Sequence, residues 1–164
     1  MIDVIVESDL WDEAALTDLA ERVSDATLRH LGYDPARYEI ALLACDDARI
    51  AELNGDFRDK PAPTNVLSWP SEERGADIPG GAPIPPEDDE LGDIALAHQT
   101  ILRESHDQGK DFETHLVHLI CHGILHLLGY DHINEPDAAQ MEALERQILD
   151  KMGLPDPYED WPRV

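Results

Sequence analysis

The sequence predicts one domain of mixed α and β structure, with four strands and about five helices. Three observations lead to this fold class. The chain has 164 residues, which is a usual length for one compact domain. Hydrophobic residues make up 42% of it, enough to form a core. Segments with strand-like and helix-like spacing of apolar residues alternate along the chain, in an order typical of α/β or α+β domains.

Each predicted element follows from the spacing of its apolar residues. Residues 2–8 alternate apolar and polar side chains, as a half-buried strand does. Residues 11–31 carry apolar side chains at helical spacing, and Gly32 ends that helix. The elements predicted after it are a buried strand at 38–45, a short helix at 46–57, a strand at 65–69, a strand at 91–98 that runs into a helix ending near Gly109, a helix at 112–128 that Asp111 can cap, and an amphipathic helix at about 136–152.

Residues 70–90 interrupt this pattern with a stretch rich in proline, glycine and acidic residues. The stretch contains little that could be buried in a core. We therefore expect a flexible surface loop within a single domain that spans residues 1–164.

Charge and cysteine content limit the possible functions. The chain has 36 acidic and 12 basic side chains, a net charge of −24, which argues against a general binder of polyanions. Any contact with nucleic acid must therefore depend on a local site. No apolar run reaches the roughly 18 residues of a membrane span, and no signal peptide is evident. Cys45 and Cys121 stand alone in apolar surroundings, which favours reduced thiols and a cytoplasmic protein.

The segment "HGILHLLGYDH", residues 122–132, contains three histidines at the spacing of metal ligands. His122 and His126 lie four residues apart on one helical face, roughly 5–6 Å apart at Cβ. Gly129 can take the left-handed conformation that ends a helix, so that His132 returns toward the other two. Three imidazoles leave the fourth position of a zinc ion open, as in catalytic zinc sites. We favour this interpretation over a core helix with incidental histidines.

The same spacing occurs in the metzincin proteases, but Gly123 stands where those enzymes carry a general-base glutamate. Asp131 and Asp93 are candidates to orient the ligating imidazoles through the second ring nitrogen. Asp131 suits a turn equally well, and sequence spacing alone does not decide the role of Asp93. His118, one turn earlier on the same face, suits a supporting or packing role better than that of a fourth ligand. His115 is expected at the exposed beginning of the helix.

Arg58 and Lys60 form a local positive spot in a proline-rich loop before the third strand. The planar guanidinium of Arg58 could bind a phosphate or stabilise its transition state. On the residues alone, a surface salt bridge remains the favoured interpretation of Arg58.

Together with "FRDKPAPTNVLSWP", "LGDIALAHQTI" and "MEALERQILDKMGLPDPY", the histidine motif resembles the YbeY family of bacterial rRNA maturation factors. The resemblance runs from about residue 38 to about residue 158. It implies an α+β fold, with a small mixed four-stranded sheet and a zincin-like motif helix in the core. It also implies one zinc ion per chain, on His122, His126 and His132, and a catalytic role for Arg58. Trp69 stands where the family usually has phenylalanine, and the stretch 71–90 is longer than typical.

The function implied by the resemblance is that of a zinc-dependent, single-strand-specific endoribonuclease. Such an enzyme acts in rRNA maturation, including the 3′ end of 16S rRNA, and in ribosome quality control. The implied partners are the small ribosomal subunit and its rRNA, basic ribosomal proteins and an Era-type GTPase. Two alternatives stay open. One is a metallopeptidase-like hydrolase whose base comes from Asp131 or Glu113, and the other is a ribosome-assembly factor with a structural zinc.

Overall fold

The computed structural model describes residues 1–58 and 62–158, with the side chains of 56–58 left out of the description. Four strands and five helices occur in these ranges, as predicted. They are β1 (Ile2–Val6), α1 (Glu13–His30), β2 (Glu39–Cys45), α2 (Asp47–Arg58), β3 (Val66–Pro70), β4 (Glu90–Ala97), α3 (His98–Asp107), α4 (Phe112–Leu127) and α5 (Glu135–Lys151). No helix in the described ranges is long and apolar enough to cross a membrane.

The four strands form one mixed sheet in the order β1-β2-β4-β3. Strands β1, β2 and β4 are parallel, and β3 pairs with β4 in the antiparallel direction. Buried apolar residues are almost continuous along β4, as expected for a strand covered on both faces. The predicted α+β fold with a small mixed sheet is confirmed.

The two faces of the sheet are covered unequally, and this difference places the histidines. Helices α1, α4 and α5 share the larger hydrophobic core, which includes Leu42, Ile94 and Leu96. The opposite face carries a smaller cluster with Ile50 of α2 and Ala95 of β4. Because successive side chains of a strand point to opposite faces, Ile94 faces α4 and its neighbours do not.

Helix α4 approaches the sheet closely at Gly123. A Cβ atom at Gly123 would lie 3.1 Å from Cδ1 of Ile94 and 3.3 Å from Oγ of Ser68. Glycine at this position lets the helix backbone approach β3 and β4 closely. Asp111 is the N-cap residue of α4, as predicted, but its side chain makes no capping hydrogen bond.

The stretch between β3 and β4 contains no helix or strand, in agreement with the predicted loop. It is nevertheless attached to the rest of the fold at several points. Arg74 is 3% exposed, and its Nη1 donates to the carbonyl of Leu127 at 2.8 Å. The backbone N–H of Gly80 donates to Asp137 at 2.7 Å, and Gln140 Nε2 donates to the carbonyl of Gly81. These contacts hold the loop against the end of α4 and the beginning of α5.

Candidate metal centre

The side chains of His122, His126 and His132 converge on one point. The Nε2 atoms of His122 and His126 are 3.0 Å apart, and the ring of His132 lies 5.2 Å from each of the other two rings. One ligand atom from each histidine lies within 4.8 Å of the others. Nitrogen ligands about 2.0–2.1 Å from a tetrahedral zinc ion are about 3.3 Å apart, so these imidazoles fit such an ion.

The turn after α4 brings His132 to the other two histidines. Gly129 has φ +99°, and the N–H of Tyr130 donates to the carbonyl of Leu125 at 3.0 Å, which forms the Schellman ending of a helix. A Cβ atom at Gly129 would lie 2.5 Å from the carbonyl oxygen of Arg74. The predicted positive φ is confirmed, and the structure adds that the loop packs directly on this glycine.

The same turn binds the ring nitrogen of His126 that faces away from the other two histidines. Its Nδ1 lies 2.9 Å from the carbonyl oxygen of Tyr130 and donates to it, which leaves Nε2 to face the other histidines. Burial, together with the neighbouring His122, lowers the pKa of His126 to about 4. The imidazole is therefore neutral near pH 7, as a metal ligand must be.

The orientation of His122 depends on Glu145 of α5. The Nδ1 of His122 lies 3.2 Å from Oε1 of Glu145, whose side chain is 1% exposed. Oε2 of the same carboxylate accepts hydrogen bonds from Nε2 of His118 and, at 2.9 Å, from the hydroxyl of Tyr158. Burial opposes ionisation of Glu145, but the bonds from the two histidines outweigh it and lower its pKa to about 2.

Sequence reasoning missed Glu145, although a signal for it exists. Glu145 lies on the same face of α5 as Met141 and Ile148, which are buried. An acidic residue in the middle of an apolar helical face must have a partner in the core. His118 contacts this carboxylate and lies outside the group of three histidines, which agrees with a supporting role.

The two aspartates singled out in the sequence occupy different places. Asp131 Oδ1 accepts from the backbone N–H of His132 at 2.7 Å and lies 4.0 Å from Nδ1 of His126. Asp131 therefore stabilises the turn, while the hydrogen bond of His126 goes to the carbonyl of Tyr130. Asp93 is exposed beside Trp69, on the face of the sheet opposite to the one that Ile94 presents to α4, so the structure does not bring this candidate to the histidines.

Arg58 is the last residue of α2, and its side chain lies outside the described part of the structure, as does Lys60. The role predicted for Arg58 therefore stays a prediction. His115 is 4% exposed and bonded through Nε2 to Glu104 at 2.9 Å, so its expected exposure was wrong. Cys45 and Cys121 are buried free thiols, as expected.

The three histidines open into a cleft of about 860 Å³. Its other walls come from β3, the loop after it and the beginning of α5. A smaller depression of about 370 Å³, with Lys110 and Tyr158 in its wall, meets the cleft at His122. The described acidic residues in the wall of the large cleft are Glu73, Asp77, Asp131 and Asp137.

The fold and the site define a class of protein. It is a small α+β protein in which a helix packed on a sheet, and the turn after it, present three imidazoles to an open cleft, as metal-dependent hydrolases do. The family model described as endoribonuclease YbeY matches residues 3–153. The chain belongs to the endoribonuclease YbeY family. The family inferred from the motifs is confirmed, and with it an endoribonuclease as the class of enzyme.

Similar proteins extend over nearly the whole chain. An endoribonuclease YbeY from Dinoroseobacter shibae is 53% identical, with 96% of this chain and 90% of the relative covered. One from Ruegeria sp. is 50% identical, with 99% of each covered. The solution structure of TM1509 from Thermotoga maritima matches all of both chains with a TM-score of 0.58 and 22% identity, and supports the fold.

Proposed function

We propose that this chain is a metal-dependent endoribonuclease that binds one zinc ion through His122, His126 and His132 and cuts single-stranded RNA. The convergence of the three imidazoles at the open cleft carries the proposal. When bound, zinc would supply a Lewis acid that polarises a phosphoryl oxygen and lowers the pKa of water. The chain's own residues would hold the three ligating nitrogens in place around it.

The position of Gly123 favours phosphodiester over peptide chemistry. In the metzincin pattern this position carries the glutamate that deprotonates water and protonates the leaving amine. Here the residue is glycine, which carries no base, and a Cβ atom at this position would already be in tight contact with Ile94 and Ser68. Phosphoryl transfer depends more on charge stabilisation, and we assign that part to Arg58, whose guanidinium suits phosphoryl oxygens.

The exposure of His132 and the open cleft also favour a catalytic over a structural ion. Structural zinc sites are closed by four protein ligands, whereas catalytic sites keep a position for water or substrate. His132 is exposed, and the described ligand group consists of three histidines. This observation argues against a ribosome-assembly factor that keeps zinc only for stability.

The proposed biological role is maturation of rRNA in the cytoplasm, including the 3′ end of 16S rRNA, and ribosome quality control. The proposed partners are the small ribosomal subunit, basic ribosomal proteins and an Era-type GTPase. The net charge of −24 supports contacts with basic proteins, because complementary charge steers association. RNA contact would then be confined to the cleft and to the positive spot at Arg58.

The proposal is tested with purified protein, its metal content and three substrates of matched size. We expect about one zinc ion per chain. We also expect cleavage of a single-stranded RNA, and little cleavage of its duplex or of an unstructured peptide. His126→Ala should remove both metal and cleavage, whereas Glu113→Gln, at an exposed position of the same helix, should keep both. Metal-free protein that cuts RNA at the full rate would refute the proposed mechanism.

The biological role has its own test in cells that lack the protein. We expect 16S rRNA with unprocessed 3′ ends, restored by the wild-type chain and not by His126→Ala. Mature 3′ ends in those cells would contradict the proposed role in rRNA maturation without affecting the proposed chemistry.

A further inference from the structure

We propose that Glu145, held by Tyr158 and His118, is a positioning residue that fixes which ring nitrogen of His122 faces the metal. The inference rests on the proposed function in one respect, the role of His122 as a ligand. The proposal also gives Tyr158, which follows α5, a part in holding the metal ligands in place.

The two ring nitrogens of His122 have different surroundings. Nε2 lies 3.0 Å from Nε2 of His126 and therefore faces the shared point of the three histidines. A ligating nitrogen must be unprotonated, so the single proton of the neutral ring must sit on Nδ1. The acceptor at Nδ1 is Oε1 of Glu145, at 3.2 Å. A carboxylate in this position fixes the tautomer and makes the imidazole a stronger ligand.

Glu145 is itself fixed by two further donors. Its Oε2 accepts from the hydroxyl of Tyr158 at 2.9 Å and from Nε2 of His118. The carboxylate is almost wholly buried, and the side chain of His118 is only 12% exposed. An ionised carboxylate in this environment is stable only if its oxygens are hydrogen-bonded, so each donor restricts where Oε1 can point.

Tyr158 reaches this carboxylate because the chain after α5 folds back over α4. The ring of Tyr158 packs edge-on against His118, with centroids 5.4 Å apart. Arg146 lies over the same ring and pairs with Asp156 at 3.1 Å. Lys110 donates to the carbonyl of Pro157 at 2.9 Å. These contacts place the Tyr158 hydroxyl on a carboxylate that would otherwise have one donor fewer.

A second metal ion between His118, His122 and Glu145 is the competing interpretation. One ligand atom of each of these residues also lies within 4.8 Å of the others. Such an ion would take Nδ1 of His122 while Nε2 binds the first ion, so the ring would have to lose both protons. The oxygens of Glu145 already have three donors in the structure. We therefore favour the hydrogen-bonded network with one ion.

The experiment measures zinc affinity by competition with a chromophoric chelator, and the visible spectrum of the cobalt-substituted protein. The variants are Glu145→Gln and Tyr158→Phe. The matched controls are Asp150→Asn, at an exposed position of α5, and Tyr33→Phe. Glu145→Gln should weaken zinc binding about 10- to 100-fold, as loss of the outer partner of a ligand does. Tyr158→Phe should weaken it by about fivefold, the effect of one hydrogen bond, and both should alter the cobalt spectrum.

A merely structural role would lower the melting temperature of the metal-free protein while leaving affinity and spectrum unchanged, and that result would overturn the proposal. Two zinc ions per wild-type chain, falling to one in Glu145→Gln, would overturn it in favour of the second metal. His126→Ala distinguishes failure of the metal centre from failure of the positioning role of Glu145. If it binds zinc as tightly as wild type, the metal centre itself is refuted. If it loses zinc while Glu145→Gln does not, only the positioning role fails.

Discussion

Replacement of Gly129 by alanine separates the backbone conformation of the turn from its contact with the loop. Gly129 has φ +99°, and a Cβ atom there would lie 2.5 Å from the carbonyl oxygen of Arg74. An L-residue in the left-handed region costs about 1–2 kcal/mol. Relief of the contact requires a backbone shift, which adds roughly 1–3 kcal/mol. We expect a loss of about 2–5 kcal/mol in the free energy of unfolding, a large part of the stability of a small domain.

The chain offers two matched controls for this variant. Helices α1 and α5 end in the same motif, with Gly32 at φ +85° and Gly153 at φ +76°, and a Cβ atom at either position would have nothing within 4 Å. Gly32→Ala and Gly153→Ala should therefore cost only the conformational part, about 1–2 kcal/mol each.

Zinc affinity distinguishes the three variants further. A shift of the turn moves His132 away from His122 and His126, so Gly129→Ala should bind zinc on the order of 10-fold more weakly or worse. The two controls should bind it as wild type does. Denaturant unfolding of the metal-free proteins and chelator competition provide the measurements. Equal destabilisation in all three variants, with unchanged zinc affinity, would refute the packing of the loop on the turn.

Three further predictions concern individual side chains. Arg58→Ala should keep its zinc and its melting temperature but cut RNA about 100- to 1,000-fold more slowly. Arg58→Lys should restore little of that rate. Full activity in both variants would remove Arg58 from the site. Arg74→Met, which removes the donor to the carbonyl of Leu127, should cost about 1.5–3 kcal/mol by denaturant unfolding, and an unchanged midpoint would contradict that capping role. The metal-free protein should lose stability as the pH falls. Burial lowers the pKa of His126 from 6.5 to about 4 in the folded protein. As the pH falls from about 6.5 to about 4, this histidine is therefore protonated in the unfolded chain but not in the folded one, and the free energy of unfolding decreases. The pKa of Glu145 is lowered from 4.5 to about 2, so the loss of stability continues below pH 4.5. In His126→Asn, stability should change less between about pH 6.5 and pH 4.

The three-histidine cluster could be predicted from sequence because its geometry is local. His122 and His126 are one helical turn apart, and a single glycine determines where the chain turns before His132. Such features depend on helix geometry and backbone sterics, which act over a few residues. The order of the strands and helices could be predicted for the same reason, since apolar spacing is a property of each segment.

The surroundings of the histidines could not be predicted in the same way. The choice between the two faces of β4 depends on which face α4 packs against, and a strand buried on both sides gives no alternation to indicate this. The sequence therefore could not decide whether Asp93 lies beside the histidines. Glu145 and His122 are 23 residues apart along the chain, and they meet only because α4 and α5 pack together. Its one local signal, a charge on an apolar helical face, indicates a buried partner without indicating which one.

Gly123 connects the packing of the fold with the chemistry of the site. The histidine spacing alone suits peptide or phosphodiester hydrolysis, and the residue after the first histidine distinguishes them. In this chain that residue lies against the side chains of Ile94 and Ser68, so any larger side chain there would require those neighbours to shift by a few tenths of an ångström. Glycine therefore suits the close packing of α4 on the sheet, and because it carries no base, other groups must stabilise the charge that develops during the reaction.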